Sequence, residues 1–199
     1  FTLDPENDLP EFSNMVVALS NIQDTNGNLL VNDTIQFRTA DESPPLISAS
    51  GLASTNQYCY IDFSEGVFSS NSGEGGIELD DLEYTFESNG GNCTSVDVLE
   101  IKNYTGALLS GGETLIYAYV ELNSSPSGSE TIMFAPADGS SIFDQGGNPM
   151  HPSSITGTLT FNASAEIDSL FLDPSNEYLD VIFSNGIYGD SQQLQIIQL

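Results

Sequence analysis

The chain has 199 residues, of which 39% are apolar, and its 29 Asp and Glu face two cationic residues, Arg38 and Lys102, for a net charge of −27. That length buries an adequate core in one large domain or two ordinary ones without help from a metal. The charge excludes nucleic acid and anionic membranes as partners, because both are bound through clustered Lys and Arg.

An acidic excess of this size has two readings, a surface adapted to saline water or one that expects divalent cations to neutralise part of it. No apolar run approaches the roughly 18 residues of a spanning helix, and the longest, such as Leu115 to Val120, has strand length, so no membrane insertion is expected. Phe1 opens the chain with no charged region and no apolar stretch behind it. A signal peptide upstream, or excision from a longer polypeptide, is therefore expected.

In chain order, the first polar loop is NIQDTNGN, followed by the alternating residues Ile35, Phe37 and Thr39. A short linker runs from Asp41 to Pro45. Cys59, Ile61 and Phe63 then alternate with Tyr58, Tyr60 and Asp62, which predicts a strand with the first set facing the core. After the turn cluster SNSGEGG, acidic residues near Leu79 to Leu82 predict a single helical turn, the one helix signal in the chain. Val96 to Ile101 and Leu115 to Leu122 are rich in strand formers and are set off by ESNGGN, SGGE and NSSPSGS. The loop SSIFDQGGN, the alternating Ile155, Gly157, Leu159 and Phe161, and a second linker at Ser164 to Glu166 follow. Leu179, Val181 and Phe183 close the series as a second copy of the core face of Cys59, Ile61 and Phe63.

That second copy belongs to an internal repeat. FSEGVF begins at residue 63 and FSNGIY at residue 183, an offset of 120. The same offset carries Ile47, Leu52, Asn56 and Tyr58 onto Ile167, Leu172, Asn176 and Tyr178. It also carries Ile22, Asp24, Gly27 and Asn28 onto Ile142, Asp144, Gly147 and Asn148. A period of this length suits one β-sandwich domain per repeat rather than a solenoid turn. The expected organisation is all-β: residues 1–40 form the end of one immunoglobulin-like repeat, 41–163 a complete one, and 164–199 the start of a third.

The succession FSEGV, an acidic Leu-rich segment, GALLSGGET, SGSETIMFAPADGSSIFDQGGNPM and ITGTLTF resembles the bacterial Ig-like repeats of the SbsA type, found in S-layer proteins and very large surface or secreted proteins. The resemblance covers the whole chain, and its sharpest element is the SIxDxxGN loop. It implies a tandem sandwich architecture and an extracellular or cell-surface location, with no catalytic residues to transfer.

Cys59 and Cys93, 34 residues apart, are the only cysteines. A disulfide between them would stabilise by roughly 3–4 kcal/mol in the chain-entropy account; two buried free thiols are the alternative. In DTNGN, Asp24, Asn26 and Asn28 offer oxygens around Gly27 as the start of a calcium loop does. DQGGN keeps Asp144 and Asn148 but has Gly146 at the middle ligand's place. A metal-free turn in which Asp and Asn bond their own backbone and Gly takes positive φ explains both loops without an ion and is the favoured reading. A sharper calcium reading places the ion at a domain junction, where linker acids Asp41 and Glu42, or Glu166 and Asp168, meet an end loop of the neighbouring sandwich. Calcium is the only cofactor the pattern admits. Glu78, Asp80, Asp81 and Glu83 form a further acidic cluster that reads as a solvated face. Sequons stand at Asn32, Asn92, Asn103, Asn123 and Asn162, and Thr34 and Ser169 sit in short motifs of a bacterial O-glycosylation type.

Catalysis is not expected. His151 is the sole histidine, set between Met150 and Pro152, and no nucleophile–base pair or carboxylate pair stands out. The function expected is structural: repeats strung into a stalk, fibre, filament or surface layer, with neighbouring repeats or head-to-tail copies of the chain as partners. The alternative is an adhesin or carbohydrate-binding accessory module of a larger secreted protein, with surface glycans as ligand. That reading needs aromatic platforms, and the chain has no Trp; Tyr60, Tyr84, Tyr104, Tyr117 and Tyr119 are equally able to pack on strands.

Overall fold

The computed structural model describes residues 2, 4–31 and 33–184. Its regular structure is all strand apart from one 3-10 turn, Leu79–Asp81, at the place where the acidic Leu-rich segment predicts a helical turn. Asp81 closes that turn by accepting the Glu78 backbone N–H at 2.8 Å.

Among the described residues, eleven strands form four antiparallel sheets. Among these residues β1 (Asn14–Leu19) pairs with β2 (Asp33–Arg38) alone, and β10 (Ile167–Leu172) with β11 (Leu179–Phe183) alone. Between them lie a four-stranded sheet of β3 (Ile47–Leu52), β4 (Tyr58–Val67), β6 (Val96–Lys102) and β7 (Glu113–Leu122), and a three-stranded sheet of β5 (Leu82–Glu87), β8 (Thr131–Pro136) and β9 (Leu159–Thr160). Their spatial orders are β3-β4-β7-β6 and β5-β8-β9.

The inner faces of these two sheets share one apolar cluster, a β-sandwich core. Cys59, Ile61 and Phe63 are buried, as their alternation predicts, and meet Ile116 and Ala118 of β7 with Ile132 and Phe134 of β8. β6 breaks strict alternation. A register shift between Val98 and Glu100 lets both Val98 and Ile101 face inward while Leu99 stays exposed. The expected alternation of Ile155, Gly157, Leu159 and Phe161 holds only at its end. Thr156 is buried and its hydroxyl accepts the Phe134 N–H at 2.8 Å, so a side chain replaces the ladder partner there and Ile155 turns to solvent.

The 120-residue repeat extends to individual hydrogen bonds. Asp24 N–H donates to Asn28 O at 2.9 Å, and Asp144 N–H to Asn148 O at 3.1 Å. Leu30 N–H reaches Ile22 O at 2.7 Å, and Met150 N–H reaches Ile142 O at 2.8 Å. Asn56 and Asn176 both take the left-handed conformation, with φ of 59° and 61°. The register irregularity between Ile47 and Ala49 recurs between Ile167 and Ser169.

Burial does not repeat in the same way. Ile142 is fully buried while Ile22 is 42% exposed, and Cys59 is fully buried while Leu179 is 45% exposed. The expectation that Leu179, Val181 and Phe183 form a core face is thus not met among the described residues. β10 and β11 have only each other as sheet partners there, and no second sheet covers them. Asn185 to Tyr188 of the second FSxGV copy lie outside the described residues, as do the sequon at Asn32 and the end of the chain.

Candidate functional site

Three acidic side chains converge where the linker before β3 meets the DQGGN loop. Carboxylate oxygens of Asp41, Glu65 and Asp144 all lie within 4.8 Å of one another, with Asp144 buried and the other two half-buried.

Each arrives for a local reason. Phe68 and Phe143 exchange backbone hydrogen bonds at 2.7 and 2.9 Å, which staples the end of β4 to the loop carrying Asp144. A register irregularity between Asp62 and Val67 releases Glu65 from the ladder. The Asp41 carbonyl accepts the Asn148 side-chain amide at 3.0 Å, which fixes the linker against the loop. Gly146 then supplies the space: a Cβ there would stand 2.8 Å from the Asp41 Cβ. Gly146 occupies the place of the middle ligand in DQGGN, and the linker's Asp41 packs against the loop there.

The electrostatics are unusual. Burial, aided by Asp144, Asp41 and Glu11, pushes Glu65 up to about 7. Neither cationic residue relieves the cluster, since the Arg38 guanidinium lies 3.4 Å from the Phe12 ring centroid and Lys102 pairs with Glu100 at 2.6 Å. An all-oxygen, all-carboxylate donor set in a pocket opened by a glycine fits a hard divalent cation such as calcium and does not fit zinc or copper.

The other buried acid shows what a self-sufficient carboxylate looks like. Glu130 is fully buried, and its two oxygens accept the N–H groups of Cys93, Ser127, Gly128 and Ser129 and the Ser127 hydroxyl, at 2.9–3.2 Å. Burial would raise it, yet these donors bring it down to about 2. Gly91 makes room for it, because a Cβ there would stand 2.2 Å from its Oε1. Nothing in the string SGSET distinguishes this Glu from a solvated one.

No family model, no curated protein and no solved structure matches the chain.

The remaining predicted residues separate. Asp24 accepts the Asn26 and Asn28 N–H groups at 2.9 and 2.8 Å and the Asn28 amide at 2.7 Å, around Gly27 at φ 85°. Chiefly the Asn28 side chain holds the Asp24 carboxyl below its ordinary value. These bonds are those of a turn in which Asp and Asn bond their own backbone, and among the described residues Asp24 joins no group of three or more His, Cys, Asp or Glu. Asn148 supports Asp144 through bonds to both of its oxygens, each 2.8 Å, and Glu42 is exposed outside the cluster. Glu166 and Asp168 likewise join no such group.

The disulfide expected between Cys59 and Cys93 is not formed. Cys59 points into the core from the middle of β4, opposite Ala118, and burial pushes its thiol up to about 12. Cys93 is drawn elsewhere: its backbone N–H is held by Glu130, and its sulfur donates to the Ser124 carbonyl at 2.6 Å.

Among the glycosylation candidates, Thr34 on β2 is exposed, and Ser169 sits half-buried beside the β10 irregularity. The Asn103 carbonyl oxygen organises its own turn through Thr105 and Ala107. Asn123 spends its amide nitrogen on Thr94 Oγ1 at 2.8 Å, so a glycan there would break a formed bond. His151 lies exposed with Nδ1 2.6 Å from Ser153 Oγ. No helix among the described residues is long and apolar enough to cross a membrane.

Proposed function

We propose that this chain is a segment of a tandem array of immunoglobulin-like sandwiches in an extracellular surface protein, with a structural, non-catalytic role as stalk, fibre, filament or surface layer. The observation that carries the reading is the 120-residue repeat, kept in side-chain type and in backbone hydrogen bonds on both sides of the central sandwich. Repetition of whole sandwiches is how a chain gains length at constant thickness.

Calcium belongs to this reading as a stiffener of joints. Asp41 lies in the linker, whereas Glu65 and Asp144 belong to the sandwich, so an ion held by all three would convert a flexible entry into a fixed one. The three carboxylates would supply part of the six to eight oxygens calcium takes, and water the remainder.

Two experiments test the proposal. Sequencing the parent polypeptide on either side should reveal further copies of FSxGV and SIxDxxGN at the same spacing; an adjoining catalytic domain would favour an accessory module instead. Calorimetry of the chain in 5 mM Ca²⁺ and in chelator, at matched ionic strength, should show a rise of about 10 °C in the ion if that concentration is about 100 times Kd. No rise would remove calcium and leave the acids as a salt-adapted surface.

A further inference from the structure

The outer face of the four-stranded sheet carries aromatic residues that a purely structural repeat does not require. Five of the chain's eight tyrosines gather there or beside it. On β4, Tyr58 and Tyr60 alternate with the buried Cys59 and Ile61, and on β7, Tyr117 and Tyr119 alternate with Ile116 and Ala118. Register sets them directly opposite: Tyr58 faces Tyr119, and Tyr60 faces Tyr117.

The rings interlock. Tyr58 meets Tyr117 edge-on at 5.1 Å between centroids and Tyr119 at 5.7 Å. Tyr60 lies over β3, where position 51 is glycine; a Cβ there would stand 2.4 Å from its ring. Tyr104, 80% exposed on the loop after β6, completes the wall of a hollow of about 150 Å³ with Tyr58, Tyr117 and Tyr119. Lys102 stands 5.8 Å from the Tyr119 ring centroid and is paired to Glu100, which places a donor and an acceptor at the rim.

From this geometry we infer that the face is a binding platform for a neutral polysaccharide. A pyranose ring offers a face of C–H groups to a tyrosine ring and a rim of hydroxyls to phenol, ammonium and carboxylate, and the platform has all four. Charge narrows the class. A net charge of −27 repels uronic or sulfated polymers, which leaves the neutral ones among polysaccharides. The aromatic row crosses three strands, about 10 Å at roughly 4.8 Å per strand, enough for about two sugar units. This site lies on the opposite side of the sheet from the core and does not use the Asp41 cluster, so it stands whether or not calcium binds.

The test is affinity electrophoresis of the full chain through gels containing laminarin, barley β-glucan, xyloglucan, yeast mannan or dextran, with polygalacturonate as the anionic control. At least one neutral polymer should retard the wild type, and polygalacturonate should not. Tyr104→Ala should weaken the retardation about tenfold with an unchanged Tm, and Tyr58→Ala should abolish it. Failure of every neutral polymer, retention of binding in both variants, or equal retardation by polygalacturonate would overturn the inference. Competition by tetramethylammonium chloride, absent with sodium chloride, would also overturn it, in favour of a site for cations.

Discussion

Replacing Glu130 by Gln tests the claim that one buried carboxylate ties two loops of the sandwich together. Gln has the same shape but turns one acceptor oxygen into a donor. If the amide nitrogen takes the Oε1 position, the Cys93 N–H faces another donor; if it takes Oε2, the Gly128 and Ser129 N–H groups do. The less damaging orientation strands one buried N–H, worth about 1–3 kcal/mol, and halves the strength of the bonds that remain by removing the charge. The expected loss is about 3 kcal/mol, or roughly 10 °C in Tm for a domain of this size. Urea denaturation followed by tyrosine fluorescence measures it. The pH dependence provides an independent signature. Because the folded Glu130 sits near 2, below its unfolded value, its contribution is complete above the unfolded pKa and fades as pH falls through about 2. The difference between wild type and variant should therefore be full at pH 7 and shrink between about pH 4.5 and 2. A difference under about 0.5 kcal/mol at pH 7, or one that ignores pH, would refute the reasoning.

The acidic cluster has the opposite sign. Folded Glu65 is raised to about 7, so in chelator the wild type should lose stability as pH climbs from about 4.5 through 7, while Glu65→Gln should show a flatter profile and no response to calcium, both read by calorimetry. Gly146→Ala should push Asp41 off the DQGGN loop and crowd Asn148 Nδ2 and Asp144 Oδ1, which would stand 3.1 and 3.3 Å from the new Cβ, costing about 1–2 kcal/mol and the calcium response in calorimetry. Asn162→Ala should cost about 1 kcal/mol in urea melts, because it removes the side-chain amide's bonds to Asn56 Oδ1 at 3.1 Å and Ala53 O at 3.2 Å while the backbone bonds to Asn56 remain. Thiol titration should find Cys59 and Cys93 unreactive in the native chain and two free thiols in denaturant; zero thiols would restore the disulfide.

Periodicity exposed the parts of this fold that depend on near neighbours. Cys59, Ile61 and Phe63 alternate with polar and aromatic residues, and a strand has only two faces, so their burial was legible. The paired loops DTNGN and DQGGN were legible as turns for a similar reason, since Asp, Asn and Gly act within five residues of themselves. Long-range placement was not. Glu65 reaches Asp144 only through the Phe68–Phe143 staple, and Glu130 becomes a keystone only when residues 91–93 fold over it. The junction reading singled out Asp41 but paired it with Glu42 and an end loop of a neighbouring sandwich, whereas Asp41 meets Glu65 and Asp144. Gly146, which looked like a missing ligand, is where the linker's Asp41 packs against the loop. The tyrosines could be assigned to strands, but their meeting on one face depends on the β4–β7 register, which no local pattern specifies. The disulfide expectation rested on an even cysteine count, which carries no geometry.

Pulling on the ends of single molecules tests the structural role most directly. With the full chain held between handles in 5 mM Ca²⁺, the account predicts one cooperative unfolding event for the central sandwich. The contour gain should be about 400 Å, from about 115 residues between Ile47 and Phe161 at about 3.6 Å each. That event should come at lower force in chelator and in the Asn162→Ala variant. Gradual extension at low force without a discrete event, in calcium as in chelator, would contradict the account.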